Sequence, residues 1–520
     1  MKEGLRQSMA LLHTWAGLLL GWLLFAMFAT GTAAYFQDEI TRWMQPEVTG
    51  KADPVASAEG AVRYLQRTAP DAASWFITPP NSRSATTQVY WQPGENARPA
   101  TRRETSAVLD QSGHEISTRE TRGGFFLYRF HFDLHYMPVY WARYLVGVAA
   151  MFMLVAILSG IITHKKIFAD FFMLRFNKGQ RSWLDAHNVT AVIALPFHLM
   201  ITFTGLVTLA TMYMPWGIAA NYADRSAFSN AVFGNSEDVA RSGKAAPLAA
   251  VGPIMRSASA QWDGKAVGYL RVTNPGDATA RIGATRAPEA AIGSRGEEVT
   301  FDGVTGKPLD QSMPKGAALA TESVMIGLHA GRFAEYGLRW LYFLSGVGGT
   351  IMVGSGLVLW TVKRRSKLPD PSRPHFGFRL VEKLNIATIA GFPAAIATYF
   401  LANRLLPAWL ADRADQEVNS LFLAWLGVLI WAIIRPTARA WPEMMGLAAG
   451  LFAAVPLVNA ITTSRGLPAS LLAGDWLFVS FDAAMLVLAA GFALGARRAA
   501  RKRVEGPRPA PRKTQEVMAA

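Results

Sequence analysis

Six of the nine histidines of this 520-residue chain lie within or at the ends of its first four long apolar segments. An ionisable side chain at membrane depth is costly, so such a residue by default indicates function. Imidazole is a common axial ligand of haem iron. Pairs of histidines that ligate haem b are therefore the simplest interpretation. The six candidates are His13, His135, His164, His187, His198 and His329.

The chain contains no cysteine. This excludes a disulfide framework, a thiolate metal site, an iron–sulfur cluster and the covalent attachment of a c-type haem. Any redox cofactor must therefore be held by other ligands, and the sequence predicts two or more haems b. The motifs of zinc peptidases, P-loop enzymes and GxSxG hydrolases are also missing from the sequence.

The histidines belong to an internal repeat. His13 and His187 each precede a Thr-Gly pair by 17 positions, and Arg143 and Arg339 each precede a Ser-Gly pair by 16. The sequence thus predicts two similar halves, each consisting of a helix, an extramembrane domain and a second helix. Halves of parallel topology are related by a pseudo-twofold axis along the membrane normal.

The elements that position these residues are predicted to be membrane-spanning helices. Apolar residues make up 51% of the chain and charged residues 17%, and the apolar residues form runs close to the roughly 20 residues that cross a hydrocarbon core of about 30 Å. The expected fold is mainly α and polytopic, with about eight spans. The runs lie near residues 11–35, 139–163, 189–214, 338–361, 385–407, 419–434, 442–462 and 473–496.

Charge predicts the orientation. The formal net charge is +15, and 24 of the 52 Lys and Arg residues fall in five short segments that share one side if eight spans alternate. Because cytoplasmic loops are enriched in Lys and Arg, both termini are expected in the cytoplasm. Membrane orientation thereby explains the excess positive charge, and the expected partner of these basic segments is membrane lipid rather than nucleic acid.

The predicted organisation follows from these spans. Periplasmic α+β domains are expected at 37–138 and 215–337, and a four-helix unit at 385–496. The first four helices are expected at 1–36, 139–164, 189–214 and 338–361, cytoplasmic loops at 165–188 and 362–384, and a basic tail at 497–520.

The predicted symmetry pairs the histidines. His13 should meet His187 near the cytoplasmic face, and His135 should meet His329 near the periplasmic face, which gives one haem site in each leaflet. His135 is favoured because Leu134-His135 matches Leu328-His329; His131, one helical turn earlier, is the alternative. Glycines of the Thr-Gly and Ser-Gly pairs would let helices approach a flat porphyrin, or would serve ordinary helix packing.

The remaining candidates have no repeat partner. His198 follows His187 by 11 residues, which places both on nearly the same face of one helix, about 16 Å apart, and suits a second cofactor level. His164 closes the second span, so a third haem or a different pairing stays open. Arg143 and Arg339 are candidates for neutralising haem propionates, with interfacial snorkelling as the alternative.

Several segments carry a family resemblance. His13-Thr14-Trp15-Ala16-Gly17, His329-Ala330-Gly331 and Ser355 to Trp360 resemble the PepSY-associated transmembrane helix family, and Asp185 to Gly205 is similar to its iron-regulated PiuB-like branch. The two loops resemble PepSY domains, and the resemblance implies a protein of the bacterial inner membrane. The resemblance covers about residues 5–365, and the extra helices after residue 384 depart from the four spans of many relatives.

The resemblance implies a function. Some relatives are haem-containing ferrisiderophore reductases, so we expect a transmembrane oxidoreductase that takes electrons from a cytoplasmic or quinol donor and reduces a ferric siderophore or other Fe(III) chelate in the periplasm. The alternative, also implied by the resemblance, is a non-enzymatic PepSY membrane regulator or siderophore-uptake accessory protein, in which the histidines are structural.

Overall fold

The structure, a computed structural model, describes residues 4–50, 52–94, 98, 100–101, 104–163, 173–233, 239–312 and 316–504. His164 and residues 505–520 of the predicted tail lie outside the described residues. The described chain forms two compact units that divide between Val362 and Lys363.

The first unit combines membrane helices with a β-sheet. Its helices are α1 (Leu5–Leu19), α2 (Gly21–Ala34), α3 (Gln37–Met44), α4 (Pro54–Thr68), α5 (Gly123–Asp133), α6 (Val139–Thr163), α7 (Gln180–Ile193), α8 (Leu195–Thr208), α9 (Ala210–Tyr213), α10 (Trp216–Asn221), α11 (Arg225–Phe233), α12 (Val251–Gln261), α13 (Ala317–Ala330) and α14 (Tyr336–Arg365). Its strands are β1 (Ser74–Thr78), β2 (Thr87–Gln92), β3 (Ser106–Leu109), β4 (Val267–Thr273), β5 (Arg281–Arg286), β6 (Glu298–Asp302) and β7 (Pro308–Ser312).

The second unit is helical throughout its described residues. After the end of α14 it contains α15 (Phe376–Ile386), a π-helical turn (Ala387–Gly391), α16 (Phe392–Leu405), α17 (Arg413–Ile434), α18 (Thr437–Thr462), α19 (Leu467–Leu472) and α20 (Trp476–Val504). The C-terminal four-helix unit expected from the sequence, 385–496, lies within this second unit.

Long apolar helices dominate the described chain. Six are long and apolar enough to cross a membrane, and there are eight spans if each of two bent helix pairs counts as one. The chain is therefore a mainly helical, multi-pass membrane protein, and the expected eight spans correspond to this upper count.

The two bent pairs alter the predicted geometry of spans one and three. Helices α1 and α2 meet at 66°, and α7 and α8 meet at 69°. Pro196, the second residue of α8, cannot donate a backbone hydrogen bond and so favours the break at Ala194. His187 and His198 consequently lie on different helices, and the prediction that they share one helix face is wrong.

The extramembrane segments of both halves build a single sheet. The strand order is β3-β2-β1-β4-β5-β6-β7, and every neighbouring pair is antiparallel. At the centre, β1 of the first half pairs with β4 of the second, with Phe76 opposite Arg271. The two predicted α+β domains are therefore joined through one continuous sheet.

One face of this sheet holds the core of the extramembrane part. Strand residues alternate between faces, so Trp75, Ile77, Leu270 and Val272 point to the same side, where they pack with α4 and α12. Each of these four side chains is at most 1% exposed. The opposite face therefore remains for other contacts.

Candidate metal-binding histidine pairs

The structure brings four histidines together as two pairs, each with one member from each half of the repeat. The rings of His13 on α1 and His187 on α7 have centroids 6.1 Å apart. The rings of His131 on α5 and His329 on α13 are also 6.1 Å apart. We call the first the distal pair and the second the sheet-proximal pair.

Each of the four imidazoles is oriented by a backbone carbonyl. Nδ1 of His13 lies 2.8 Å from the Ala156 oxygen, and Nδ1 of His187 lies 2.8 Å from the Met352 oxygen. The corresponding distances are 2.7 Å from His131 to Met27 and 3.0 Å from His329 to Ile201. A ring whose Nδ1–H donates to a carbonyl carries its lone pair on Nε2, which is the common arrangement of a metal-ligating histidine.

The Thr-Gly and Ser-Gly pairs explain how these rings reach the carbonyls. Each accepting carbonyl stands four residues before a glycine, and a Cβ at that glycine would lie 2.8–3.2 Å from the nearest atom of the imidazole. The hydroxyl residue between them bonds back along its own helix. The four glycines are Gly31, Gly160, Gly205 and Gly356. They accommodate the imidazoles, whereas the sequence suggested close approach to a porphyrin or ordinary helix packing.

The spacing of the rings matches a shared metal ion. An imidazole nitrogen binds a transition metal at about 2.0 Å, and the ring centroid lies roughly one ångström beyond that nitrogen. Two imidazoles on opposite sides of one ion therefore have centroids about 6 Å apart. Both pairs have this separation, although the described residues contain no group of three or more His, Cys, Asp or Glu side chains arranged for a metal.

The predicted pairing of His135 with His329 is wrong. Helix α5 ends at Asp133, and Leu134 and Tyr136 adopt positive φ values of 53° and 58°, so the chain turns away before His135. The His135 ring contacts Phe126 and Tyr136 instead. His131 lies inside α5, as His329 lies inside α13, and this equivalent helical position makes it the partner.

Sequence spacing could not have decided between these two histidines. His329 precedes Arg339 by 10 residues, while His131 and His135 precede Arg143 by 12 and 8. Both alternatives therefore differ from the repeat by two positions. The feature that distinguishes the two histidines is the contact with Gly31. This glycine lies against the ring of His131, which projects from α5, whereas His135 lies beyond the end of that helix.

A cavity of about 700 Å³ adjoins the sheet-proximal pair. This volume is within the 300–1,000 Å³ range of small-molecule and cofactor sites. Its lining includes both histidines together with Gly31, Gly205 and Tyr35. Four arginines also line it, namely Arg83, Arg143, Arg295 and Arg332.

The two arginines proposed for propionates have different surroundings. Arg143 lines the cavity and its Nε lies 2.7 Å from Asp133. Arg339 is paired with Glu39 at 3.0 Å and donates to the Ala334 carbonyl. Arg83, which the sequence interpretation missed, lines the cavity and also pairs with Glu39. The structure thus places Arg143 and Arg83, rather than Arg339, along the cavity wall.

Burial keeps the sheet-proximal imidazoles neutral. These rings are on α5 and α13, outside the membrane-spanning helices. Burial, and secondarily the neighbouring His131 ring, lower the pKa of His329 to about 4, and burial also lowers the pKa of His131. A neutral imidazole is the form that binds a metal, so both rings are competent ligands at neutral pH.

His198 lies apart from this arrangement. It is 1% exposed, its ring contacts Phe28 and Phe197, and its Nε2 is 3.4 Å from the Ser345 carbonyl oxygen. These contacts supply aromatic packing and one long hydrogen bond, and Nδ1 is buried with no hydrogen-bond partner among the described residues. The structure therefore does not pair His198 with another described histidine.

Comparison with known proteins identifies the family. The model of the PepSY-associated TM region matches residues 10–363, which include both histidine pairs and the shared sheet. The chain belongs to the PepSY-associated TM region family. A similar protein, the uncharacterized protein PA4219 of Pseudomonas aeruginosa, is 27% identical over 322 residues, which cover 59% of this chain and 78% of that protein. The family match ends near the division between the two units.

Proposed function

We propose that this protein is a haem b-containing electron-transfer protein of the bacterial inner membrane, which reduces ferric siderophores or other Fe(III) chelates in the periplasm. One observation carries the proposal: two cross-repeat histidine pairs have ring centroids 6.1 Å apart, each ring oriented through Nδ1 by a backbone carbonyl. Two such pairs toward opposite ends of the helices suit two cofactor levels across a membrane.

The residues present fit haem b. His13 and His187 would hold one group, and His131 and His329 another, beside the cavity of about 700 Å³. When bound, haem supplies one-electron redox chemistry at an iron whose potential depends on its axial ligands and surroundings. Arg143 and Arg83 would place positive charge along the wall of the sheet-proximal site.

The protein's own contribution is positioning and exclusion of water. The carbonyl hydrogen bonds fix the plane and tautomer of each imidazole before any ligand arrives. Met27 and Ile201, whose carbonyls hold the sheet-proximal pair, lie within apolar helices, so one side of each ring packs against apolar helix while the other borders the cavity. The donor would be cytoplasmic or a quinol, and weak binding of Fe(II) by siderophores would release the metal after reduction.

The competing proposal is a membrane regulator or uptake accessory in which the histidines only hold helices together. It accounts for the carbonyl hydrogen bonds, and ring centroids 6.1 Å apart are also within the range of about 4.5–7 Å for ordinary aromatic packing. The visible spectrum of the purified protein separates the two. We expect a Soret band and an α band that appears on reduction with dithionite.

Quantification makes the test sharper. Two equivalent histidine pairs predict two haems b per chain by pyridine haemochrome assay. Protein without a Soret band would remove the reductase proposal in favour of the regulator. Electron transfer itself requires a second measurement, the oxidation of dithionite-reduced protein by an added Fe(III) chelate.

A further inference from the structure

The sheet face opposite α4 and α12 carries a row of aromatic side chains. Phe76 of β1 stacks with Tyr90 of β2 and with Tyr269 of β4, with centroid distances of 5.4 and 6.2 Å and interplanar angles of 22° and 23°. The guanidinium carbon of Arg271 lies 5.9 Å from the centroid of the Phe76 ring. All four side chains are half-buried. We call these four residues the aromatic row.

The repeat symmetry relates this row to the histidine pairs. Strands β1 and β4 are equivalent in the two halves and pair antiparallel, while the equivalent helices α4 and α12 pack together on one face. A twofold rotation that exchanges β1 with β4 also exchanges α4 with α12. Because both helices lie on the same face of the sheet, the axis of this rotation must be perpendicular to the sheet. Both histidine pairs join equivalent parts of the halves, so an exact twofold symmetry of the repeat would carry the same axis between their rings.

The cavity lining shows which sheet face is directed towards the histidines. Tyr269 is opposite Thr285, and Thr285 is opposite Glu298, so these residues share the face of the aromatic row. Glu298 lines the cavity that contains His131 and His329. The sheet face that carries the aromatic row is therefore the face that borders this cavity at Glu298, while the four residues of the row lie outside its lining.

We infer that the aromatic row and this cavity together form the binding site for the electron acceptor, and that the acceptor is an anionic Fe(III) chelate with aromatic ligand rings, of the catecholate or phenolate class. This inference rests on the proposed function. Offset-stacked rings are favoured when a flat aromatic ligand lies against Phe76 or its neighbours. An aliphatic hydroxamate chelate would bury apolar area on this surface but would lack the additional stabilisation of ring stacking.

Charge on the same walls favours an anion. The cavity is lined by Arg83, Arg143, Arg295 and Arg332, against the carboxylate of Glu298. Three of these arginines, Arg83, Arg143 and Arg295, pair with carboxylates. The carboxylates belong to residues that do not line the cavity, namely Asp38, Glu39, Asp133 and Glu322. Guanidinium groups thus border the space, and Arg271 adds another within the aromatic row.

Gallium(III) complexes test binding without electron transfer, because Ga(III) resembles Fe(III) in size and charge but is not reduced. Isothermal titration calorimetry would use the purified full chain and three probes: the anionic Ga(III) complex of 2,3-dihydroxybenzoate, the neutral aromatic complex of benzohydroxamate and the neutral aliphatic complex of acetohydroxamate. We expect the dihydroxybenzoate complex to bind at least about tenfold more tightly than the acetohydroxamate complex, through stacking and charge together.

Two variants separate the contribution of ring stacking to binding from the contribution of charge. Phe76→Leu should weaken binding of both aromatic complexes by roughly three- to tenfold, whereas Arg271→Gln should weaken only the anionic one. Tyr64→Leu is the control, because Tyr64 belongs to α4 on the opposite face of the sheet.

Equal affinity for the three complexes, or unchanged binding in both Phe76→Leu and Arg271→Gln, would overturn the inference. The visible spectrum of the same samples keeps the proposed function separate. Protein that lacks haem yet shows these binding differences would remove the reductase and leave the binding site. Protein with two haems and no such differences would remove the binding site and leave the reductase proposal.

Discussion

Hydrogen bonds from Nδ1 to backbone carbonyls orient four histidines as two matched pairs. The structure assigns His131, not His135, to one of these pairs, and substitution of each residue tests this assignment. His131→Leu should reduce the haem content from two to about one per chain, because His329 would lose the opposite ligand. His135→Leu should leave two, since the His135 ring packs on Phe126 and Tyr136. Pyridine haemochrome assay of both purified variants measures this. A loss in His135→Leu alone would restore the pairing predicted from sequence.

The glycine beside each imidazole gives a second prediction at the residue scale. In Gly205→Ala the new Cβ would lie 2.8 Å from Cε1 of His329, so the ring or the helix must shift. We expect haem loss or a high-spin signal from one centre in electron paramagnetic resonance. Gly348→Ala on α14 is the matched control, because nothing lies within 4 Å of its Cβ position and the gain in helix propensity is the same. Identical spectra from both variants would show that the close contact has no role.

His198 gives a third prediction at the residue scale. Because its described contacts are Phe28, Phe197 and the Ser345 carbonyl, His198→Leu should retain two haems per chain, whereas His187→Leu should lose one. Optical spectra and haem assays of the two variants provide the comparison. A lower haem content in His198→Leu would return this residue to the ligands proposed from the sequence.

At the scale of elements, the second unit contains a buried polar network that joins four of its helices. Arg413 pairs with Glu417, and the Asn403 amide donates to the Glu417 carboxylate at 2.7 Å. Arg404 donates to the Asn459 side chain at 2.9 Å, and Asn459 in turn donates to Asp482. Buried charges are tolerated in apolar surroundings only when they are paired and hydrogen-bonded.

Removal of one charge from this network should destabilise the second unit. Glu417→Ala removes the carboxylate that pairs with Arg413, which is 0% exposed, and the loss of one partner of a buried ion pair costs about 3–5 kcal/mol. Gln416→Ala, at an exposed position of the same helix, should change stability by less than about 0.5 kcal/mol. Thermal unfolding of the solubilised protein compares the two. Equal unfolding temperatures would mean that the pair contributes no net stability.

At the scale of the whole molecule, the asymmetric distribution of Lys and Arg predicts the membrane orientation. Reporter fusions at Ser84 and Gly276 should indicate the periplasm, and fusions at Gly179 and Pro369 the cytoplasm. Ser84 and Gly276 belong to the connections of the sheet, β1 to β2 and β4 to β5, so both should give the same result. A reversed signal at either pair of positions would contradict the orientation and, with it, the periplasmic site of reduction.

The sequence alone determined the properties that are written locally along the chain. Hydrophobic runs of membrane length predicted up to eight spans, and regular spacing of His, Thr-Gly and Ser-Gly predicted two related halves, because each signal depends only on residues near one another in sequence. The pairing of His13 with His187 also followed, since their equal distances from a Thr-Gly pair required no knowledge of bends.

Only the tertiary structure decided features that depend on direction in space. The helix break at Ala194 separated His187 from His198, and the turn after Asp133 removed His135 from the site. The pairing of β1 with β4 joined two domains into one sheet, a contact between strands almost 200 residues apart that no local pattern encodes. The carbonyls that hold the imidazoles are likewise on other helices, so the geometry of each pair exists only after the helices pack.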